Sequence, residues 1–303
     1  MLIAVTVTIS ILLDYLLGEP RRYHPLVGFG MLANKTEFFL NQSHKSRVAG
    51  IFAWLLVIVP FVLLCWFIEQ QTEYELVFNV ICLTITLGYK SLVQHARAVS
   101  DALRQHDIVR ARQRIAMMVS RDVKKSNEKS ITRATIESVL ENGNDAIFAA
   151  MFWFCIAGAP GVVLYRLANT LDAMWGYKTE QYKQFGWAAA RIDDFLNLIP
   201  ARLTAISYSI SGQTFLALRC WRQQACLWNG INPGVVMASG AGSLQVKLGG
   251  KAKYHGAYTE RPVLGCGKEV VTGDIERAIR LIHKSVVLWI IVIIIINGFY
   301  HYG

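Results

Sequence analysis

Residues 48–68 make a run of twenty-one positions without a charge. About 20 apolar residues rising 1.5 Å each cover the roughly 30 Å hydrocarbon core of a bilayer. In lipid each backbone N–H and C=O must be satisfied within the protein, so only helices or a closed barrel remain open to such a chain. A long continuous run, rather than short alternating segments, selects the helix. Residues 285–303 also lack Asp, Glu, Lys and Arg and are rich in Ile. Residues 76–89 form a shorter apolar run, and residues 1–13 reach span length only by taking in Asp14 and the leucines after it. Two further runs, 146–165 and 203–218, read as buried or re-entrant helices, and the first is interrupted by Gly158-Ala159-Pro160-Gly161. Hydrophobic residues make up 53% of the chain and mean hydropathy is +0.34, too apolar for an ordinary soluble domain and too charged for a bare membrane bundle. The expectation is an all-α, polytopic integral membrane protein with a helical and loop-rich catalytic region on its cytoplasmic side.

Charge orients the spans. The chain carries 31 Lys and Arg against 21 Asp and Glu, a net +10. Residues 69–75 hold three glutamates and no basic residue. With crossings near 1–17, 48–68, 74–90 and 285–300, every Lys and Arg falls on one side, as the positive-inside rule asks. A six-span arrangement would place five basic residues of 166–202 outside. The basic residues flank apolar runs and form no aromatic-interleaved patch, so membrane lipid and phosphates are expected partners and nucleic acid is not. Six cysteines without a C-x-x-C argue against a zinc site or disulfide framework. The N-terminus lacks the basic region and A-x-A site of a cleavable signal peptide. Four segments follow: membrane helices over 1–90, amphipathic helices and a central motif region over 91–222, a Gly-rich region over 223–284, and a last membrane helix over 285–303.

Four constellations carry chemistry. Asp14-x-x-x-Gly18-Glu19-Pro20 precedes His24-Pro25. An acid at a span end is costly unless it pairs or lines a polar cavity, and a turn at Gly18 and Pro20 lets Glu19 and His24 face back toward it. Arg121-Asp122 is followed by Glu137, Glu141 and Asp145. These acids are four apart on one helix face, and such a row calls for cations; Mg²⁺ with phosphate oxygens is one answer, a solvated acidic face the other. Residues 166–202 supply Arg166, Arg191 and Arg202 as anion clamps and Asp172, Asp193 and Asp194 as carboxylate ligands, with Asn169 and Tyr177 among them. The Gly-rich region supplies Asn232, Gly249-Gly250 and Arg261-Pro262. No G-x-x-x-x-G-K-[ST] loop is present, so any ATP site does not follow phosphate-loop logic.

From Tyr165 the chain reads Y-R-x-x-N-T-L-D-x-M-x-G-Y-x-x-x-x-Y-x-x-F-G-x-x-x-A-R-x-D-D-x-x-N-x-x-P-A-R. This resembles the CobD/CbiB family of cobalamin-biosynthesis proteins, as do the Asp14–His24 block, R-D with E-x-x-x-E-N-x-x-D, and L-G-G-x-x-x-Y-x-G-x-x-x-x-R-P-x-L-G. The sequence departs from the family's pattern at Val123, Ala146 and Ala150, and has Ile231-Asn232-Pro233-Gly234 where relatives carry S-P-N-A-G. The resemblance implies a multi-pass protein of the cell inner membrane that joins aminopropanol or its phosphate to a propionate of adenosylcobyric acid with ATP and Mg²⁺. It implies catalytic roles among Asp14, Glu19, His24, Asp122 and Asp172. Substrate or phosphate contacts fall to Arg121, Arg166, Asn169, Tyr177, Arg191, Arg202 and Asn232, and metal ligation to Glu137, Glu141, Asp145, Asp193 and Asp194. Other membrane enzymes of nucleotide-loop assembly are further expected partners. The alternatives are a non-catalytic relative linked to β-lactamase induction and a corrinoid transporter.

Overall fold

The computed structural model describes residues 2–18, 24–42, 46–177, 179–254 and 257–302. In chain order its helices are α1 (Leu2–Leu17), α2 (Pro25–Leu40), α3 (Arg47–Gln71), α4 (Glu75–Thr86), α5 (Tyr89–Arg104), α6 (Ile108–Ile115) and α7 (Glu128–Gly143). After a π-helical turn at Asn144–Phe148 come α8 (Ala149–Trp175), α9 (Trp187–Leu196), α10 (Leu198–Ser211), α11 (Thr214–Gln224), α12 (Pro233–Leu244) and α13 (Gly273–Tyr302). The protein is all-α and polytopic: four helical stretches, Arg47–Gln71, Glu75–Arg104, Glu128–Trp175 and Gly273–Phe299, are long and apolar enough to cross a membrane.

The set of four differs from the sequence expectation in one member. The first helix has 16 residues, or about 24 Å, and falls short of a full span. The run holding residues 146–165 takes its place, because it continues to Trp175 instead of ending at the Gly-Pro interruption. That interruption survives as a break inside α8. Ala157 (φ −140°, ψ 25°) and Gly158 (φ 60°, ψ −151°) are non-helical, and the Glu69 carboxylate accepts a hydrogen bond from the Ala159 N–H at 3.3 Å. The final helix begins twelve residues before the uncharged run, so its first turns carry Asp274, Glu276, Arg277 and Arg280.

The chain divides into two compact units. The first comprises residues 1–88, 149–197 and 297–303. In it α3 packs against α8 and α9, and α4 against α1 and α8. Trp175, at the end of α8, is fully buried and meets Phe185 edge-on at 5.0 Å, folding the following loop back on the helix. The outward residues of α3, Phe52, Leu55, Leu56, Leu63, Leu64 and Phe67, are apolar and exposed. A soluble protein would bury such a face; a bilayer solvates it.

The second unit comprises residues 89–148 and 198–296. Its centre is α12, whose residues 234–244 are all buried. The run G-V-V-M-A-S-G-A-G-S-L is rich in small side chains, which let neighbouring backbones approach closely. Ser239 Oγ donates to the Ala205 carbonyl at 2.7 Å and Ser243 Oγ to the Tyr208 carbonyl at 2.7 Å, tying α12 to α10. The Gly-rich stretch that showed no periodicity forms two small sheets. Strand β1 (Val246–Leu248) pairs antiparallel with β4 (Leu264–Gly265) and parallel with β5 (Lys268–Glu269), and β2 (Ala252–Tyr254) pairs with β3 (Ala257–Thr259).

Candidate functional site

Three carboxylates of residues 166–202 lie within electrostatic range of one another in the first unit. Asp172 lies near the end of α8, one turn after Asn169, while Asp193 and Asp194 lie on α9. Asn169 Nδ2 donates to one oxygen of Asp193 at 3.2 Å, and Asn197 Nδ2 donates to the other at 3.1 Å. Asn197 is itself oriented by the buried Tyr165, whose hydroxyl donates to its Oδ1 at 3.1 Å. Two amides thus fix the Asp193 plane, and both Asp193 and Asp194 act electrostatically on Asp172. Burial raises Asp193 to about 6, with the neighbouring Asp194 adding to the rise, although the two amide bonds favour its charged form. Arg191 faces Asp194 at 3.6 Å from an exposed position.

Among the described residues Asp172 forms no hydrogen bond or ion pair of its own, and its carboxylate folds over Gly176. A Cβ at Gly176 would stand 2.0 Å from Asp172 Oδ1, so only glycine leaves that carboxylate its place. Arg166 sits two turns before Asp172 on α8 and has no carboxylate partner; its Nε is buried without an acceptor. Tyr177 is half-exposed just beyond. The result is a carboxylate cluster with an uncommitted guanidinium on the same helix. Among the described residues no three His, Cys, Asp or Glu side chains converge closely enough to hold a metal alone. A Mg²⁺ ion characteristically takes one or two carboxylates and completes its shell with water and phosphate oxygens. Asp193 and Asp194, consecutive on α9, are carboxylates of the type such a shell uses, though side chains one position apart point to different sides of the helix.

The Asp14–His24 corner differs from its expectation. Asp14 is buried near the end of α1, and Glu19 lies outside the described residues. His24 is the N-cap of α2: its Nδ1 accepts the Leu26 N–H at 3.2 Å, and it makes no contact with Asp14. With Nδ1 engaged as acceptor, the neutral ring carries its proton on Nε2. A role for His24 as a proton-accepting base is therefore corrected to that of a helix cap with a donor to spare.

The remaining expected residues lie in the second unit. Glu137 is buried, and both its oxygens are taken. Arg121 donates to it at 2.7 Å, Arg261 at 3.0 and 3.2 Å, and the Gly249 N–H at 2.7 Å. Its assignment as a metal ligand is corrected: it is the internal counter-ion of two arginines. Gly249 has φ +80°, and a Cβ there would meet the Pro262 carbonyl at 1.9 Å, so glycine is needed to bring this N–H to the carboxylate. Glu141 lies within electrostatic range of the same group. Asp145 leaves the regular four-residue progression because it sits in the π-helical turn, where Asn144 donates to it at 2.8 Å and accepts from Thr204 at 2.9 Å. Asp122 accepts the Lys124 N–H at 3.0 Å. Arg202 donates to the carbonyls of Leu198 and Ile231 and, at 2.5 Å, to the Asn232 side chain. The pair expected to contact substrate is corrected to a tie that anchors the start of α12.

The segment 7–282 matches the CobD/Cbib protein family. The chain belongs to that family. It is 50% identical over 293 residues to the cobalamin biosynthesis protein CobD of Chromobacterium violaceum, covering 94% of each chain. It is also 50% identical over 287 residues to the CobD of Stutzerimonas stutzeri, covering 94% of this chain and 95% of that one. The CobD of Mycobacterium tuberculosis is 37% identical over 285 residues, covering 92% and 90%. No solved structure matches. For this CobD/Cbib protein the sequence missed two features. One is the role of Asn197 in orienting Asp193, signalled only by its place four residues on. The other is a cavity of about 590 Å³ in the first unit, bordered by Glu69, Glu75, Asn79 and Gly158, which contains none of the expected site residues.

Proposed function

We propose that this chain serves cobalamin biosynthesis as a multi-pass enzyme of the inner membrane. There it joins the amine of aminopropanol, or of its phosphate, to a propionate of adenosylcobyric acid at the expense of ATP. Family membership supports the pathway. The observation that carries the chemistry is the Asp172–Asp193–Asp194 cluster beside the unpartnered Arg166.

A carboxylate must lose an oxygen to become an amide, and phosphorylation makes that oxygen a leaving group. Mg²⁺, when bound, would be held through Asp193 or Asp194 and would neutralise phosphate charge. Arg166 binds a phosphoryl group, its planar guanidinium offering paired donors. The two amides on Asp193 keep that carboxylate in one orientation, so little reorganisation is needed when ligands arrive. Asp172, with no partner of its own, accepts the proton that the attacking amine gives up. Loss of a general base costs about 10²–10⁴-fold. Asp172→Asn should therefore cut amide formation in purified protein by at least about a hundredfold and leave thermal stability near wild type. Undiminished turnover by Asp172→Asn would remove the cluster from the chemistry. Failure of the wild-type gene to restore growth of a mutant blocked in this step and fed cobyric acid would remove the reaction itself.

A further inference from the structure

The second unit carries a cavity of about 210 Å³ that the amide-forming reading does not use. Five cationic side chains line it, Arg121, Lys125, Arg133, Lys251 and Arg261, with Asp122 the one carboxylate in its wall. We propose that this cavity is a phosphate-binding site of the second unit, built from other residues than the carboxylate cluster and independent of the reaction assigned there.

The arginines are held in place from behind. Glu137 spans Arg121 and Arg261, with Glu141 within electrostatic range of all three, so both guanidiniums are held in one group. Arg261 is fixed further by donating to the Gly250 carbonyl at 3.2 Å and by resting over the Trp228 ring at 5.1 Å. Arg133 donates to the Gly249 carbonyl at 3.2 Å and to Glu269 at 3.0 Å, a carboxylate it shares with Lys129, and its Nε is buried without an acceptor. Among the described residues Lys251 pairs with the exposed Glu260 at 3.3 Å, and no ion pair is seen for Lys125. Asn127 and Ser130 bring the N-terminus of the 16-residue α7 into the same wall. Asn127 Oδ1 takes the Ser130 N–H at 2.9 Å, so the helix contributes the positive end of its dipole rather than that donor. Preset guanidiniums, exposed lysines and a helix start together suit a group with several oxygens and more than one negative charge.

Size narrows the ligand. Pockets for whole drug-sized molecules run from about 300 to 1,000 Å³. A space of about 210 Å³ takes a phosphate or two with some water and leaves the rest of the ligand outside. A corrin ring is excluded. The phosphate can belong to a soluble phosphorylated molecule or to an anionic lipid headgroup, and the experiment separates the two.

The full-length protein, purified in detergent without anionic lipid, is titrated with inorganic phosphate and with pyrophosphate by calorimetry. In parallel its melting temperature is compared in nanodiscs of neutral lipid with and without phosphatidylglycerol. The variant is Lys125→Ala with Lys251→Ala, both exposed positions outside the fold's core. Each lost charge-assisted contact should weaken binding about tenfold or more. Saturable pyrophosphate or phosphate binding that falls accordingly in the variant supports a soluble phosphorylated ligand. Stabilisation by phosphatidylglycerol that the variant loses supports a headgroup. Equal behaviour of variant and wild type in both arms overturns the proposal. Asp172→Asn should bind pyrophosphate here as wild type does, so failure of this site and failure of the amide-forming reading register separately.

Discussion

Glu137→Gln removes one charge from the group formed with Arg121 and Arg261. The side chain is 5% exposed and each arginine 11%, so solvent can do little to replace the lost carboxylate. The amide keeps the volume and can still accept from the Gly249 N–H, but the two guanidiniums lose their hydrogen-bonded counter-ion and keep only the electrostatic influence of Glu141. Breaking a buried ion pair by removing one partner costs about 3–5 kcal/mol. For a unit of this size each kcal/mol is worth roughly 2–4 °C, which gives a fall of roughly 6–20 °C in melting temperature. Thermal unfolding in detergent, followed by tryptophan fluorescence, measures it. Adding Arg261→Met should recover part of the loss, because one of the two stranded charges is then gone. A Glu137→Gln protein melting within about 2 °C of wild type would refute the reasoning and return Glu137 to the metal-binding role read from its sequence.

Further expectations concern the carboxylate cluster and the arginines. Asp193 has a folded value of about 6, above the ordinary carboxylate value near 3.9. The folded state therefore holds more protons than the unfolded one between those values, so its contribution to stability declines as pH rises from about 4 to 6 and is level above that. Since Mg²⁺ needs the deprotonated form, the shift in melting temperature produced by Mg²⁺ should grow from pH 5 to 7 and lose this pH dependence in Asp193→Asn; a flat wild-type profile would contradict the assignment. Arg166→Lys should raise the KM for ATP or the amine phosphate severalfold with the melting temperature little changed, whereas Arg202→Lys should lower the melting temperature and spare KM. Indistinguishable effects of the two substitutions would undo the distinction between a ligand clamp and a structural tie.

The all-helical membrane fold was legible because lipid leaves so few options to residues 48–68 and 285–303, whatever packs around them. The carboxylate cluster was legible for a related reason: Asn169, Asp172, Asp193 and Asp194 lie within 25 residues, and short-range helical geometry brings them near one another. Glu137 was misread because its partner Arg261 lies 124 positions away, and spacing along one helix cannot reveal a counter-ion supplied by a distant loop. The same distance hid the basic cavity, whose Lys125 and Lys251 come from the second unit's two separate segments. The two small sheets escaped notice because their strands are two or three residues long, too short to show a period.

The break at Ala157 and Gly158 makes α8 two rods joined by a pivot rather than one beam. Asp172 stands fourteen residues beyond Gly158, about 21 Å along the helix. Over that arm a tilt of about 5° displaces the carboxylate by about 2 Å, more than half the span of a hydrogen bond. The near end of the arm is gripped by Glu69, whose single bond to the Ala159 N–H holds the pivot from the opposite end of the rod. Lengthening or releasing that one bond would shift Asn169 and Asp172 against α9 and strain the 3.2 Å bond from Asn169 to Asp193.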